Sequence, residues 1–234
     1  MSRRLSTPIH AVLFDLDGTL VDSHGDLCNA LNRLEEECGN DPTPHQLIRP
    51  HVSQGAMKMI CVAFDLEFNK ENLRLQSLWK QMIRFYREDI ASLSMLFNGM
   101  PEVLDHLQSN GIAWGVVTNK PEDLSRQLLA ALRVEPPQGC VVGGDTLPTK
   151  KPEPGPLLHA CQLLGASPEK TVYVGDDPRD AIAGKRAGMA TIAVRYGYHM
   201  PDNPPELWGA DYIIDNPIEL MDILSNKAFD ESPG

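Results

Sequence analysis

Near the N-terminus, Ile9 and Ala11-Val12-Leu13-Phe14 form a short apolar run that ends on two carboxylates one residue apart, Asp15 and Asp17, with Gly18-Thr19 directly behind. A continuous apolar run of this length suits a strand buried on both faces of a parallel sheet. The carboxyl ends of such strands are where α/β sheets bind ligands. Side chains two apart on an extended chain point the same way, so Asp15 and Asp17 share a side until Gly18 lets the backbone turn. Like charges that close repel unless a proton or a cation lies between them, which implies a divalent metal; oxygen donors favour Mg2+. The blander reading is a strand running into an Asp-Gly turn with solvated acids.

The rest of the chain changes character twice. Over residues 23–93 the pattern is helical with no convincing strand: Leu27, Ala30, Leu31 and Leu34 recur at helical spacing, as do Leu75, Leu78, Trp79, Met82, Ile83 and Tyr86. This predicts a small helical domain inserted after the first strand, with Cys28, Met57 and Met59 in its core. Arg74, Lys80, Arg84 and Arg87 read as a solvated helix face. The joins near residues 22–25 and 92–97 are the expected hinges of such an insert. Residues 1–22 and 94–234 then form the main domain. There, helices are expected over residues 102–110, 122–132, 156–164, 181–187 and 218–224. They alternate with strands over 113–117, 140–142, 171–174, 191–194 and 212–214. The fold class is therefore α/β, a Rossmann-like parallel sheet flanked by helices. The polar tail over 227–234 is expected to fray.

With 234 residues, 42% of them hydrophobic, the chain can bury one sizeable core and a second small unit. Its formal net charge of -11 repels nucleic acid, and no basic stripe with interleaved aromatics offsets it. An anionic substrate is admitted only if a metal and a few local cations reverse the field inside the site. Cys28, Cys38, Cys61, Cys140 and Cys161 are scattered and odd in number, which predicts reduced thiols and neither a zinc site nor a disulfide framework. Arg3 and Arg4 precede an apolar run that Asp15 cuts too short for a signal peptide, and no stretch approaches a membrane span. A cytoplasmic protein without a membrane partner is expected, as a monomer or weak homo-oligomer.

Other strand ends carry chemistry too. The strand over 113–117 runs into Thr118-Asn119-Lys120, whose hydroxyl, amide and backbone N–H groups suit phosphate oxygens, although a Thr-Asn pair alone is more simply a helix cap. Lys151, in Lys150-Lys151-Pro152-Glu153-Pro154, is placed to reach an anion held between these loops; Lys150 reads as solvated. The strand over 171–174 ends in Gly175-Asp176-Asp177-Pro178-Arg179-Asp180. Asp176 is expected to complete a metal site with Asp15, and Asp177 or Asp180 to support it by hydrogen bonds, with one of the three capping the helix.

In that order and at those strand ends, Asp15-x-Asp17-Gly-Thr-Leu-Val-Asp22, Thr118-Asn119, Lys151-Pro152 and Gly175-Asp-Asp-x-x-Asp180 resemble the four motifs of the haloacid dehalogenase superfamily, and the helical insert resembles its α-helical cap. The resemblance implies a phosphoric monoester hydrolase. Asp15 is then the nucleophile forming an aspartyl-phosphate, and Asp17 the acid and then the base, with its backbone carbonyl on the metal. It implies Mg2+ on Asp15, Asp17 and Asp176, with Thr118, Asn119 and Lys151 stabilising the phosphoryl oxygens. Asp17 itself favours phosphate esters, since members that cleave carbon–halogen or carbon–phosphorus bonds do not use it. A phosphomutase similar to β-phosphoglucomutase shares all four motifs and ranks second. A non-enzymatic phospho-switch such as a receiver domain carries its phosphorylated Asp on a later strand and has no such insert.

For substrate, Gly143-Gly144-Asp145 and Tyr196-Gly197-Tyr198 resemble phosphoglycolate phosphatases. A closer likeness runs through Leu96-Phe-Asn-Gly-Met-Pro-Glu102, Trp114-Gly-Val-Val-Thr-Asn-Lys-Pro121 and Trp208-Gly-Ala-Asp211. These look like the branch acting on N-acetylmuramic acid 6-phosphate in cell-wall recycling. Both substrates are small phosphate esters bearing a carboxylate, so a cationic or amide-rich contact from the cap is expected. The cap loop Arg49-Pro-His-Val-Ser53-Gln54-Gly55-Ala56 is the candidate, with Arg49, Ser53, Gln54 and Gly55 as ligands and a departure from the Gly-x-Gly usual in phosphoglycolate enzymes.

Overall fold

The computed structural model describes residues 8–225; the expected frayed tail over 227–234 lies outside them. In chain order the strands are β1 (Ala11–Phe14), β2 (Val21–Asp22), β3 (Met95–Leu96), β4 (Ala113–Val117), β5 (Val141–Val142), β6 (Thr171–Gly175), β7 (Ala190–Val194) and β8 (Tyr212–Ile214). The helices are α1 (His24–Glu37), α2 (His45–Ile48), α3 (Ala56–Ala63), α4 (Leu73–Glu88), α5 (Met100–Ser109), α6 (Glu122–Ala131), α7 (Gly155–Leu164), α8 (Pro178–Ala187) and α9 (Glu219–Leu224).

β1 is central in a six-stranded sheet of order β5-β4-β1-β6-β7-β8, and each pairing in it is parallel. Its residues Ala11 to Phe14 are completely buried, the outcome expected of an apolar run with no polar alternation. Strand periodicity divides them between two layers. Val12 and Phe14 pack with Met100 and Val103 of α5, Leu128 of α6 and Leu220 of α9, whereas Ala11 and Leu13 pack with Leu157 and Ala160 of α7 and Ala183 of α8. Burying a side chain of Leu, Val or Phe size contributes about 1.5–3 kcal/mol, so a polar residue at any of these four positions would threaten the domain.

Helices α1–α4 form a separate unit around Leu31, Leu34, Ile48, Met59, Leu75, Met82 and Phe85. Asn72 starts α4 by accepting the N–H groups of Arg74 (2.9 Å) and Leu75 (3.2 Å) with its side chain. Two members of this cluster, Leu124 and Tyr198, belong to the sheet domain and seat the unit upon it. The two chain segments joining the units pair as the antiparallel ribbon β2–β3, Val21 with Leu96 and Asp22 with Met95. So short a ribbon leaves no periodicity to read. Asp26 ties the return segment to α1, accepting the N–H of Leu93 (3.0 Å) and both the N–H (2.8 Å) and the hydroxyl (2.5 Å) of Ser94.

The helix start that differs most from expectation is that of α8. α8 begins at Pro178, three residues before the expected position at 181. Asp177 caps it, accepting the Arg179 N–H, while Asp180 reaches back to the Asp177 N–H (3.0 Å). This capping box outweighs the lack of apolar periodicity in the first turn. No helix of the described residues is long and apolar enough to cross a membrane.

Candidate active site

Parallel pairing aligns the carboxyl ends of β1, β4 and β6 along one edge, and the chemistry-bearing residues emerge there. The Asp15 N–H still donates to Val174 of β6 (2.9 Å), so the strand's pairing places the first carboxylate. Its Oδ1 accepts the Leu16 N–H (2.7 Å) and lies 2.9 Å from Lys151 Nζ. Lys151 is buried and also meets Asp180 Oδ1 (2.8 Å) and the Tyr173 hydroxyl (2.8 Å). Burial pulls the Lys151 ammonium down, but the charges of Asp15 and then Asp180 outweigh it and hold it above its ordinary value. Lys151 is therefore a permanent cation beside the Asp15 carboxylate.

Asp176 ends β6 fully buried. It accepts hydrogen bonds from Thr19 Oγ1 (3.1 Å), Ser53 Oγ (2.7 Å) and the Tyr198 N–H (2.8 Å). Gly18 is required here: its φ is +86°, and a Cβ would fall 2.1 Å from Asp176 Oδ2. Oxygens of Asp15, Asp176 and Asp180 lie within 4.8 Å of one another. Burial first, then the charges of Asp15 and Asp180, push the Asp176 carboxyl well above its usual range. Three converging carboxyl groups with one lysine among them leave negative charge for a proton or a cation to compensate. The donor set is all oxygen, so it fits a hard divalent cation.

Asp17 points elsewhere. Its Oδ1 accepts the Ser23 hydroxyl (2.5 Å) and Lys120 Nζ (2.9 Å), placing its carboxylate toward the cap joint rather than in the Asp15–Asp176–Asp180 cluster. Lys120 Nζ in turn donates to the Tyr86 hydroxyl of α4 (2.8 Å) and lies 4.4 Å from that ring's centre. Burial pulls the Lys120 ammonium down, but Asp17 and then Tyr86 outweigh it and raise it overall, while burial pushes Tyr86 up to about 12. From sequence, Lys120 stands only at the end of a loop. Its signal is position alone, the third residue after a central strand.

Thr118, 4% exposed, has its N–H on Val142 of β5 (2.9 Å) and lines the same cavity as Asp15. Asn119 donates to the Lys151 carbonyl (3.1 Å), coupling two of the loops, and its Oδ1 is buried without a hydrogen-bond partner. Asp177 caps α8 and binds Arg179 through both oxygens (2.6 and 2.8 Å), whereas Asp180 stands with the metal-competent carboxylates.

A cavity of about 460 Å3 opens over this edge, with Asp15, Asp17, Thr118 and Lys151 on the sheet side and Ser53, Gln54, Gly55 and Met57 on the cap side. Gly55, at φ +96°, turns the chain into α3. Arg49 is directed away from it. Its guanidinium donates to the carbonyls of Tyr196 (3.3 Å) and Gly197 (3.3 Å) and lies 4.9 Å from the centre of the Tyr198 ring, clamping cap to core. Arg49 is not among the residues lining the cavity. The Tyr198 hydroxyl donates to Asp22 Oδ1 (2.5 Å) and accepts the N–H groups of Ser23 (2.8 Å) and His24 (3.1 Å), completing the joint.

A family model described as haloacid dehalogenase-like hydrolase matches residues 12–194, and the chain belongs to that family. An N-acetylmuramic acid 6-phosphate phosphatase of Pseudomonas aeruginosa is 38% identical over 222 residues, covering 95% of this chain and 97% of that protein. A phosphoglycolate phosphatase of Xanthomonas campestris pv. campestris is 37% identical over 212 residues, covering 91% of this chain and 95% of that one. A crystal structure of a predicted phosphoglycolate phosphatase from Haemophilus somnus is similar with a TM-score of 0.78 and 28% identity, covering 93% of this chain and 98% of that chain.

Proposed function

We propose that the protein hydrolyses phosphate monoesters by nucleophilic attack of Asp15 on phosphorus, that it uses Mg2+, and that its substrate is N-acetylmuramic acid 6-phosphate. The chain is a phosphoric monoester hydrolase of its family, acting on a small phosphate ester. The observation that carries the mechanism is the Asp15 carboxylate at the floor of the cavity, 2.9 Å from the buried ammonium of Lys151. Asp15 attacks, the phosphorus–oxygen ester bond breaks, and the leaving alkoxide takes a proton from Asp17. Water then attacks phosphorus in the aspartyl-phosphate and passes a proton to Asp17, and the acyl-phosphate bond breaks to release phosphate and restore Asp15. Lys151, Thr118 and Asn119 bind the non-bridging oxygens, whose charge grows in the transition state. Asp15, Asp176 and the Asp17 carbonyl are the proposed metal ligands, with Asp180 beside them. These residues would hold Mg2+, which would supply charge neutralisation between carboxylate and phosphate.

The two substrate labels among relatives come at nearly equal identity, 38% and 37%, so overall similarity does not separate them. The cavity of about 460 Å3 supports the larger molecule, since phosphoglycolate would leave most of it to water. The free thiols suit a reducing compartment, and we assign the protein to the cytoplasm. The test is phosphate release by purified protein with and without Mg2+. The expected ranking of kcat/KM places N-acetylmuramic acid 6-phosphate above 2-phosphoglycolate, with activity lost in Asp15→Asn and in chelator. The reverse ranking removes the substrate assignment, and an active Asp15→Asn removes the mechanism.

A further inference from the structure

The mouth of the cavity carries a second charged feature that the chemistry above does not use. Lys70, in the cap between α3 and α4, and Lys150, in the core directly before Lys151, both line it. Among the described residues neither ammonium has a carboxylate within ion-pair distance, whereas the third cation there, Arg179, is taken up by both oxygens of Asp177. Both side chains are exposed at the rim of this cavity, and after partial desolvation the charges of Lys70 and then Arg179 lower the Lys150 amine. In a chain of net charge -11, two lysines that line one cavity without a carboxylate partner offer a place for an anion. Beside them, Phe68, 50% exposed and two residues before Lys70, and Met57 give the cavity an apolar wall.

We propose that Lys70 and Lys150 form a second anion subsite, which holds the carboxylate of a phosphate ester substrate whose acid is set apart from its phosphate by an intervening ring. The inference rests on the phosphatase reading. One lysine comes from each unit, so a bound carboxylate also bridges cap and core and favours closure over the substrate that carries it. A carboxylate directly adjoining the phosphate, as in phosphoglycolate, would lie at the floor among Lys151 and Thr118 and gain little from this pair.

The test compares kcat/KM for N-acetylmuramic acid 6-phosphate with that for N-acetylglucosamine 6-phosphate, which lacks the lactyl acid, and for p-nitrophenyl phosphate. Wild type, Lys70→Met, Lys150→Met and the double variant are measured, each checked for folding by circular dichroism. The expected result is a wild-type preference for the acid of about tenfold or more, as a charge-assisted contact provides. That ratio falls about tenfold in each single variant through KM, and it shrinks in wild type as salt is added. A wild type that releases phosphate from both sugars equally overturns the inference and leaves the phosphatase reading intact, as does an acid-to-neutral ratio that survives the double variant. A sugar bisphosphate assayed alongside these and preferred to the acid, with that preference lost in the double variant, also overturns the carboxylate assignment. No release from any of these esters removes the phosphatase reading and this inference with it.

Discussion

The joint between cap and core rests on Asp26, and removing its carboxylate has a calculable cost. Asp26 is 2% exposed and accepts the Leu93 N–H (3.0 and 3.2 Å to its two oxygens), the Ser94 N–H (2.8 Å) and the Ser94 hydroxyl (2.5 Å). Asp26→Ala orphans both amides; the hydroxyl can rotate to another partner. A buried donor left unpaired costs about 1–3 kcal/mol. Ser94 is buried and bears the full penalty, whereas Leu93 is 51% exposed, so water can reach its amide and relieve part of the cost. The expected loss is about 2–4 kcal/mol, a large share of the stability of a domain of this kind. Asp26→Asn keeps one acceptor oxygen and should lose about half as much. Urea denaturation followed by circular dichroism gives the loss, and hydrogen exchange at the Leu93 and Ser94 amides locates it. An Asp26→Ala protein within about 0.5 kcal/mol of wild type would refute the reasoning, as would Asp26→Asn proving as costly as Asp26→Ala.

Further outcomes follow from other contacts. Lys120→Met frees the Asp17 carboxylate of its cation and should lower kcat on p-nitrophenyl phosphate about 10- to 100-fold; full retention of kcat would show that Lys120 does not hold Asp17 for catalysis. Hydrogen bonds from His24 and Tyr198 and the charges of His24 and Arg49 outweigh burial and hold Asp22 below its ordinary value of 3.8. A depressed carboxylate stabilises the fold above its unfolded pKa and loses that contribution as pH falls through the folded one. Asp22→Asn should therefore lower Tm at pH 7, with the deficit shrinking as pH falls below 3.8; a deficit that does not shrink in acid counts against this origin. Cys38 is exposed while Cys28, Cys61, Cys140 and Cys161 are buried, and burial pushes Cys28 and Cys140 up to about 12. Iodoacetamide on native protein, read by mass spectrometry, should label Cys38 alone; rapid labelling of Cys28 would contradict the packing of the cap.

The parts legible in sequence share a physical cause. Strands buried on both faces are mostly apolar, so β1 and β4 stand out as uninterrupted runs and β6 and β7 as runs carrying one threonine each, Thr171 and Thr191, and the polar residue that follows each of β1, β4 and β6 lies on one edge of a parallel sheet. That brings Asp15, Thr118 and Asp176 together without knowledge of any distance. The ribbon β2–β3 was illegible because two residues per strand carry no period. The start of α8 is hidden in sequence because its first turn is held by a polar capping box rather than by an apolar stripe.

The cap loop shows the sharper boundary. Its composition pointed to Arg49, Ser53, Gln54 and Gly55 as substrate contacts; the structure puts Ser53, Gln54 and Gly55 at the cavity and turns Arg49 onto the carbonyls of Tyr196 and Gly197. Lys120 on Asp17, Tyr86 on Lys120, and Lys70 with Lys150 along one cavity all bring together residues far apart in the chain. By itself the sequence determined the parallel sheet, the helical spacing over residues 23–93 and which polar residues follow the strands, because burial on two faces and helical spacing are local patterns. Only the tertiary structure decided where Asp17 and Arg49 point and which cations line the mouth of the cavity. Those depend on how one unit sits on the other, and no periodicity within either unit encodes that.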